Sequence, residues 1–168
     1  MVAPNKHFCL AEDIVKRIHE ILLDTPPPDN YEDLTLHVAP EIPLETKDLP
    51  FIAIYVREGD AVDQTVHQQL ANNMRYVVVQ SVIALNFRVD VLNQNDAQNN
   101  GIKALAPLRK WAMRHLMNDP ALKLMSMGPI IPTGWIQYGD THETAAGGAI
   151  QYLQFRHTLD LVTAWDET

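Results

Sequence analysis

TAAGGAIQYLQFRHTLDLVTAWDE, residues 144–167, is the most regular stretch of this 168-residue chain. After a glycine pair, apolar and polar residues alternate for about sixteen positions, a period of two that is typical of a strand with one buried face. Phe155 and His157 fall on the apolar side, whereas Arg156 falls on the polar side. We therefore predict a long C-terminal strand over residues 149–165.

The length of this predicted strand is itself informative. At about 3.3 Å per residue it spans roughly 50 Å, well beyond an ordinary strand. Either the strand bends with its sheet, or its end reaches a neighbouring subunit. We place Gly147 and Gly148 in a turn before it, because glycine tolerates positive φ and the AGGA sequence lacks the lysine and the following helix of a phosphate-binding loop.

The remaining elements follow from apolar spacing. Alternation, or an apolar run bounded by turn residues, predicts strands in LTLHVA (34–39), FIAIYVRE (51–58), RYVVVQSVIALNFRVDVLNQ (75–94) and PIIPTGWIQYGD (129–140). Apolar steps of three and four predict helices over residues 8–24 and about 96–118, with a kink or a restart at Pro107, which we place in a first turn. This order predicts one α+β domain over residues 1–168, with a mixed, mostly antiparallel β-sheet and two main helices packed on one face.

The composition argues against several classes of function. The apolar share is 46% and the charged share 20%, which is typical of a globular protein. A net charge of −8 disfavours general binding to a phosphate backbone, because that affinity comes from Lys and Arg. The basic cluster RKWAMRH, residues 109–115, is more typical of a solvated helix face. No apolar run is long enough for a membrane helix, and the single Cys9 suits a reducing cytoplasm.

Residues suited to catalysis are few. Ser81 and Ser126 are the only serines, and neither lies in a G-x-S-x-G nucleophile motif. We interpret Ser81 as a hydroxyl facing the core, Cys9 as a small buried residue and His157 as a hydrogen-bonded core histidine. The expectation is that the protein is not an enzyme and carries no cofactor.

Two polar loops remain as candidate sites. YGDTHET contains Asp140, His142 and Glu143, a weak alternative metal site, although H-E-x-x-H and C-x-x-C spacings are absent. The amide-rich segment 59–74, GDAVDQTVHQQLANNM, is long for a connection, and loops of that length are commonly functional.

The order of segments over residues 104–163 carries a resemblance. A helix, ALAPLRKWAMRHLMNDPAL, leads to a G-W-I strand, a THETAAGGA loop and the final strand YLQFRHTLDLVT. Together with the N-terminal helix and the strand LPFIAIYVRE, this arrangement resembles the tail terminator and tail completion proteins of tailed bacteriophages, the group of the lambda-type minor tail protein U. The clearest piece is L-M-N-D-P-A-L; family members often continue with paired glycines, where this chain has KLMSMG.

The resemblance implies a structural virion protein with no catalytic residues. Such proteins form a ring, expected to be a hexamer, on the end of the tail tube, stop tube polymerisation and offer a docking surface to the head-tail connector or stopper protein. The sheath is a further partner if the tail contracts. DNA passes through the ring without specific binding, which suits the acidic charge.

The resemblance also implies a location and a set of contact residues. The protein would be assembled in the host cytoplasm and reside in the virion tail or neck, with no membrane association. Contacts with neighbouring subunits or with the lumen would fall in the long loop and on the polar face of the last strand, at Glu58, Asp60, Asp63, Gln64, His67, Gln68, Asn72, Asn73, Arg156 and Asp160.

Three alternatives stay open at the level of sequence. One is another neck or head-completion connector protein. A second is a small enzyme or ligand-binding α+β domain that uses the loop at 138–143 beside Arg156. The third is a domain that binds a peptide along a sheet edge.

Overall fold

The computed structural model describes residues 8–38, 50–62, 76–90, 97–139 and 146–160. In these ranges the chain forms, in order, α1 (Ala11–Asp24), β1 (Thr35–Val38), β2 (Phe51–Val62), β3 (Tyr76–Asp90), α2 (Ala97–Asn118), α3 (Pro120–Met125), β4 (Ile131–Gly139) and β5 (Ala146–Asp160). None of the described helices is long and apolar enough to cross a membrane.

The five strands form one sheet in the order β1-β2-β3-β5-β4. β1 runs parallel to β2, and the other neighbouring pairs are antiparallel. The longest pairing joins β3 to β5, from Tyr76 opposite Asp160 to Asp90 opposite Ala146. The predicted α+β fold with a mixed, mostly antiparallel sheet is confirmed.

The helices cover one face of this sheet and divide it between them. α1 packs on β1 and β2, whereas α2 packs mainly on β5 and β3 and also reaches β4. The buried apolar side chains of both helices meet alternate residues of the central strands, including Ile14, Ile18, Leu108, Ile83, Leu85 and Phe155. The sheet and both helices therefore share one core. Each fully buried side chain of this size stabilises the fold by about 1.5–3 kcal/mol.

Pro107 does not restart α2, contrary to the prediction. The helix runs through it without interruption, and the proline ring is exposed to solvent. Leu105 and Leu108 are buried on either side of it. Packing of these neighbours holds the helix together where one backbone hydrogen bond is missing.

The predicted start of the loop at 59–74 is wrong, because residues 59–62 belong to β2. β2 continues to Val62, and Ala61 and Val62 pair with Gln80 and Val79 of β3. The register of β2 shifts twice, between Val56 and Glu58 and again between Glu58 and Ala61. Because bulges interrupt the alternation of side chains, the sequence pattern ends before the strand does. The remainder of the predicted loop lies outside the described residues.

Two other predicted boundaries also move. The N-terminal helix begins at Ala11 and not at residue 8, because Phe8 and Cys9 lie extended beside β5, with Phe8 bridging to Thr158. β5 begins at Ala146, so Gly147 and Gly148 are strand residues and not turn residues. The predicted end of that strand, residues 161–165, lies outside the described part of the chain.

Candidate functional site

Ser81 of β3 and His157 of β5 meet on the helix-covered face of the sheet. Ser81 is opposite Phe155 and His157 is opposite Val79, so the serine and histidine are diagonal neighbours. The Ser81 Oγ lies 2.8 Å from the His157 Nε2. Both residues are fully buried, which confirms the core-facing interpretation of each.

The hydrogen bonds around His157 define its tautomer. Its Nδ1 lies 2.7 Å from the backbone carbonyl oxygen of Cys9. A carbonyl only accepts, so Nδ1 carries the proton and Nε2 accepts the Ser81 hydroxyl. The Ser81 oxygen in turn accepts the backbone N–H of Asp60 at 2.8 Å. In this tautomer both imidazole nitrogens are hydrogen-bonded.

Burial controls the protonation of this cluster. Burial lowers the pKa of His157, while the Cys9 carbonyl and the Asp60 carboxylate act in the opposite direction. Burial also raises the pKa of Asp60, whose Oδ1 lies 3.5 Å from the His157 Nε2. The Cys9 thiol has its pKa raised to about 12, first by burial and then by Asp13 and Asp60. At neutral pH, Cys9 is thus an unreactive thiol.

A serine beside a histidine base, with the second ring nitrogen held by an acceptor, is also the arrangement of an activated nucleophile. In this protein, Ser81 and His157 have no exposed surface. Neither residue lines the two surface grooves described below. The network joins the N-terminal segment, β2, β3 and β5, so its evident role is to hold these four parts of the chain together.

Asp60 fixes the beginning of α1. Leu10 precedes the helix and has no side-chain oxygen that could cap it. Instead, the Asp60 Oδ1 accepts the Ala11 N–H at 3.2 Å, and the Asp13 carboxylate accepts the Leu10 N–H at 2.8 Å. A carboxylate at a helix N-terminus is also favoured by the helix dipole. Asp60 adopts a positive φ of 51°, which a short polar residue tolerates better than most.

Four of the predicted interface residues lie at one end of the sheet, where β2 and β5 end. Glu58 and Arg156 are exposed, Asp60 is half-buried and Asp160 is buried. The side chain of Asp60 is directed to α1 and His157, so its observed contacts lie within the subunit. The other six, Asp63, Gln64, His67, Gln68, Asn72 and Asn73, lie outside the described residues.

The three residues of the weak alternative metal site lie outside the described residues. Asp140, His142 and Glu143 all lie between β4 and β5, beyond the described ranges. Among the residues that are described, no group of three or more His, Cys, Asp or Glu side chains is placed to hold a metal ion.

A groove of about 490 Å³ lies between α2 and β4. The guanidinium of Arg109 stacks over the Trp135 ring at 4.2 Å, and its Nε donates to the Gln151 side-chain oxygen at 3.1 Å. The Gln151 amide nitrogen donates to the Tyr152 carbonyl at 3.1 Å, beside a bulge in β4 at Gly134. Gly134 has a φ of 57°, which favours glycine. The segments RKWAMRH and G-W-I were visible in the sequence, but their contact across this groove was not.

A second groove, of about 450 Å³, lies on the opposite side of the molecule, where α1 meets β1 and β2. Glu12, Lys16, His19 and Val38 are among the residues that line it. Sequence analysis did not identify this groove, because it exists only where a helix and two strands pack together.

No protein-family model matches this sequence, and neither does any curated protein sequence.

Proposed function

We propose that this chain is a structural protein of a tailed bacteriophage. It forms a ring on the head-proximal end of the tail tube, stops tube polymerisation and provides the docking surface for the head-side connector while DNA passes through. It acts in the virion tail or neck after assembly in the host cytoplasm, as an assembled subunit and not as a catalyst.

The observation that carries this proposal is that, in the described part of the chain, exposed apolar residues lie on both edge strands of the sheet. Val38 of β1 and Ile131 and Ile136 of β4 are about half exposed. Edge strands offer unpaired backbone groups to another chain, and natural proteins usually protect them. Apolar side chains beside such edges favour association with further subunits.

The buried Ser81–His157 pair supports the same proposal. It stabilises the fold and presents no reactive group to solvent. The net charge of −8 suits a surface past which DNA moves without sticking.

The decisive experiment measures the mass of the purified protein in solution, alone and mixed with tail-tube protein from the same phage. We expect a ring, either preformed or formed on tube ends, and shorter tubes when the protein is present during polymerisation. A monomer that leaves tube length unchanged would refute the capping function. Binding to a head-side connector without any effect on tubes would favour the alternative of another neck protein.

A further inference from the structure

Acidic and basic residues are unevenly distributed over the described part of the chain. Residues 11–38, which form α1, the following linker and β1, contain seven acidic and two basic residues, a net charge of −5. Residues 105–136, which form most of α2, α3 and most of β4, contain four basic residues and one acidic residue, a net charge of +3. We call these segments the acidic half and the basic half.

The two halves lie over opposite edges of the sheet and meet between them, where Arg17 of α1 pairs with Asp119 at the start of α3. In the described sheet order β1-β2-β3-β5-β4, β1 and β4 are the two edges, with three strands between them. α1 covers the β1 side, and α2 covers the β4 side. The acidic and basic residues are therefore separated in the folded structure as well as along the sequence.

Exposed apolar residues follow the same division. Among the described residues, the large apolar side chains with the greatest exposure are Leu23 and Val38 in the acidic half and Leu124, Met127, Ile131 and Ile136 in the basic half. Each half also contains one of the two grooves. Each half thus combines exposed apolar side chains with a net charge of one sign. Protein interfaces use both features.

From this arrangement we infer that the basic half of one copy binds the acidic half of the next copy. Contact between like halves would place charges of the same sign together, whereas head-to-tail contact places +3 against −5. Head-to-tail contacts close into a ring when the rotation between subunits permits it. The inference identifies the subunit contact of the proposed ring and rests on that function for closure.

Charge exchange tests this inference without disturbing the core. Lys110 and Arg114 are exposed in the basic half, and Asp24, Asp29 and Asp33 are exposed in the acidic half. Lys110→Glu with Arg114→Glu makes both halves acidic, and the triple substitution Asp24→Lys, Asp29→Lys and Asp33→Lys makes both halves basic. The substituted positions are solvent-facing, and circular dichroism and the unfolding midpoint would verify that each variant folds.

The readout is sedimentation velocity over a range of protein concentrations, at about 50 mM and about 500 mM salt, which bracket strong and weak screening. We expect the native protein to associate beyond a dimer, more weakly at high salt. Each of these two charge variants alone should lose about tenfold or more in association constant, because like charges now face each other.

Two rescue arms provide the matched controls. Combining all five substitutions in one chain inverts the sign of both halves and should restore association. Mixing the double and the triple variant in equal amounts should also restore it, through alternation around the assembly. Loss without rescue in either arm would overturn the inference, as would a native protein that stays monomeric or stops at a dimer.

The result separates this inference from the proposed function. A protein that caps tubes and assembles equally well in every charge variant refutes the head-to-tail contact and leaves the function standing. A protein that shows the full pattern of loss and rescue but ignores tail tubes retains the contact and refutes the tail function.

Discussion

Ser81 holds two partners together at the scale of a single residue. Its oxygen accepts the Asp60 N–H, and its hydroxyl donates to His157. Ser81→Ala leaves both groups without that partner, so we expect the free energy of unfolding to fall by about 1–3 kcal/mol. Urea denaturation measures the change.

The chain provides a matched control in its other serine. The Ser126 hydroxyl donates to the Gly128 carbonyl at an exposed site. Ser126→Ala should change stability by no more than about 0.5 kcal/mol. If the two variants lose the same free energy of unfolding, the buried hydrogen bonds of Ser81 contribute no more than the exposed hydrogen bond of Ser126.

His157 makes stability depend on pH. Burial lowers its pKa below the ordinary value of 6.5, so the unfolded state binds more protons as the pH falls below about 6.5. Stability should therefore decrease from pH 7.5 towards the pKa of the folded state. Asp60 acts in the opposite sense, because its pKa is raised above 3.8 and its protonation on acidification adds stability.

Unfolding measured across this pH range tests the assignment. His157→Gln should lower stability at pH 7.5 and flatten the decrease below pH 6.5. An unchanged slope in the His157 variant would contradict this role. Asp60→Asn isolates the opposing contribution of the carboxylate.

At the scale of elements, Asp119 joins two helices. Its Oδ2 accepts the Leu122 N–H at 2.7 Å and so caps α3, which begins with Pro120. Its carboxylate also accepts two hydrogen bonds from the Arg17 guanidinium, at 2.8 and 3.2 Å. The motif N-D-P-A-L is thus a helix start that also holds α1.

Substitutions of Asp119 should separate these two roles. Asp119→Ala loses both, and we expect a loss of about 1–2 kcal/mol, mostly from the cap, since the Arg17 side chain is 32% exposed and its ion pair is screened. Asp119→Asn retains a capping oxygen and should lose about half as much or less. A double-mutant cycle with Arg17→Met gives the ion-pair share. If Asn and Ala are equally harmful, the cap is not the main contribution.

At the scale of the whole molecule, the described strands form a sheet with a protected centre and two edges. Among these strands, β3 and β5 have a neighbour on each side, whereas β1 and β4 have one each. In the free chain, amide hydrogens of β3 and β5 should exchange slowest. On assembly, we expect amides of the β1 and β4 edges to gain protection. Edges that exchange equally fast in the two states would contradict their role in association.

Much of the architecture was predictable from local pattern. The alternation around Phe155 and the helical spacing of Ile14 and Ile18 recur within a few residues, so each is visible in a short window of sequence. These patterns, with the order of segments, were sufficient to predict the α+β class and the face covered by helices. Interpreting Ser81 and His157 as core residues also needed only their place in an apolar strand face.

What only the tertiary structure decided depends on residues that are distant in the chain. Asp60 determines where α1 begins because packing brings it to Ala11, and the bulges of β2 hide the true end of that strand. The partners of His157 come from three separate segments. The sequence indicated only that the basic cluster lies on a solvated helix face. The strand order shows that this helix covers the β4 side of the sheet, whereas the acidic half covers the β1 side. Local propensity acts along the sequence, whereas caps, buried polar networks and surface charge are determined by distances in the folded chain.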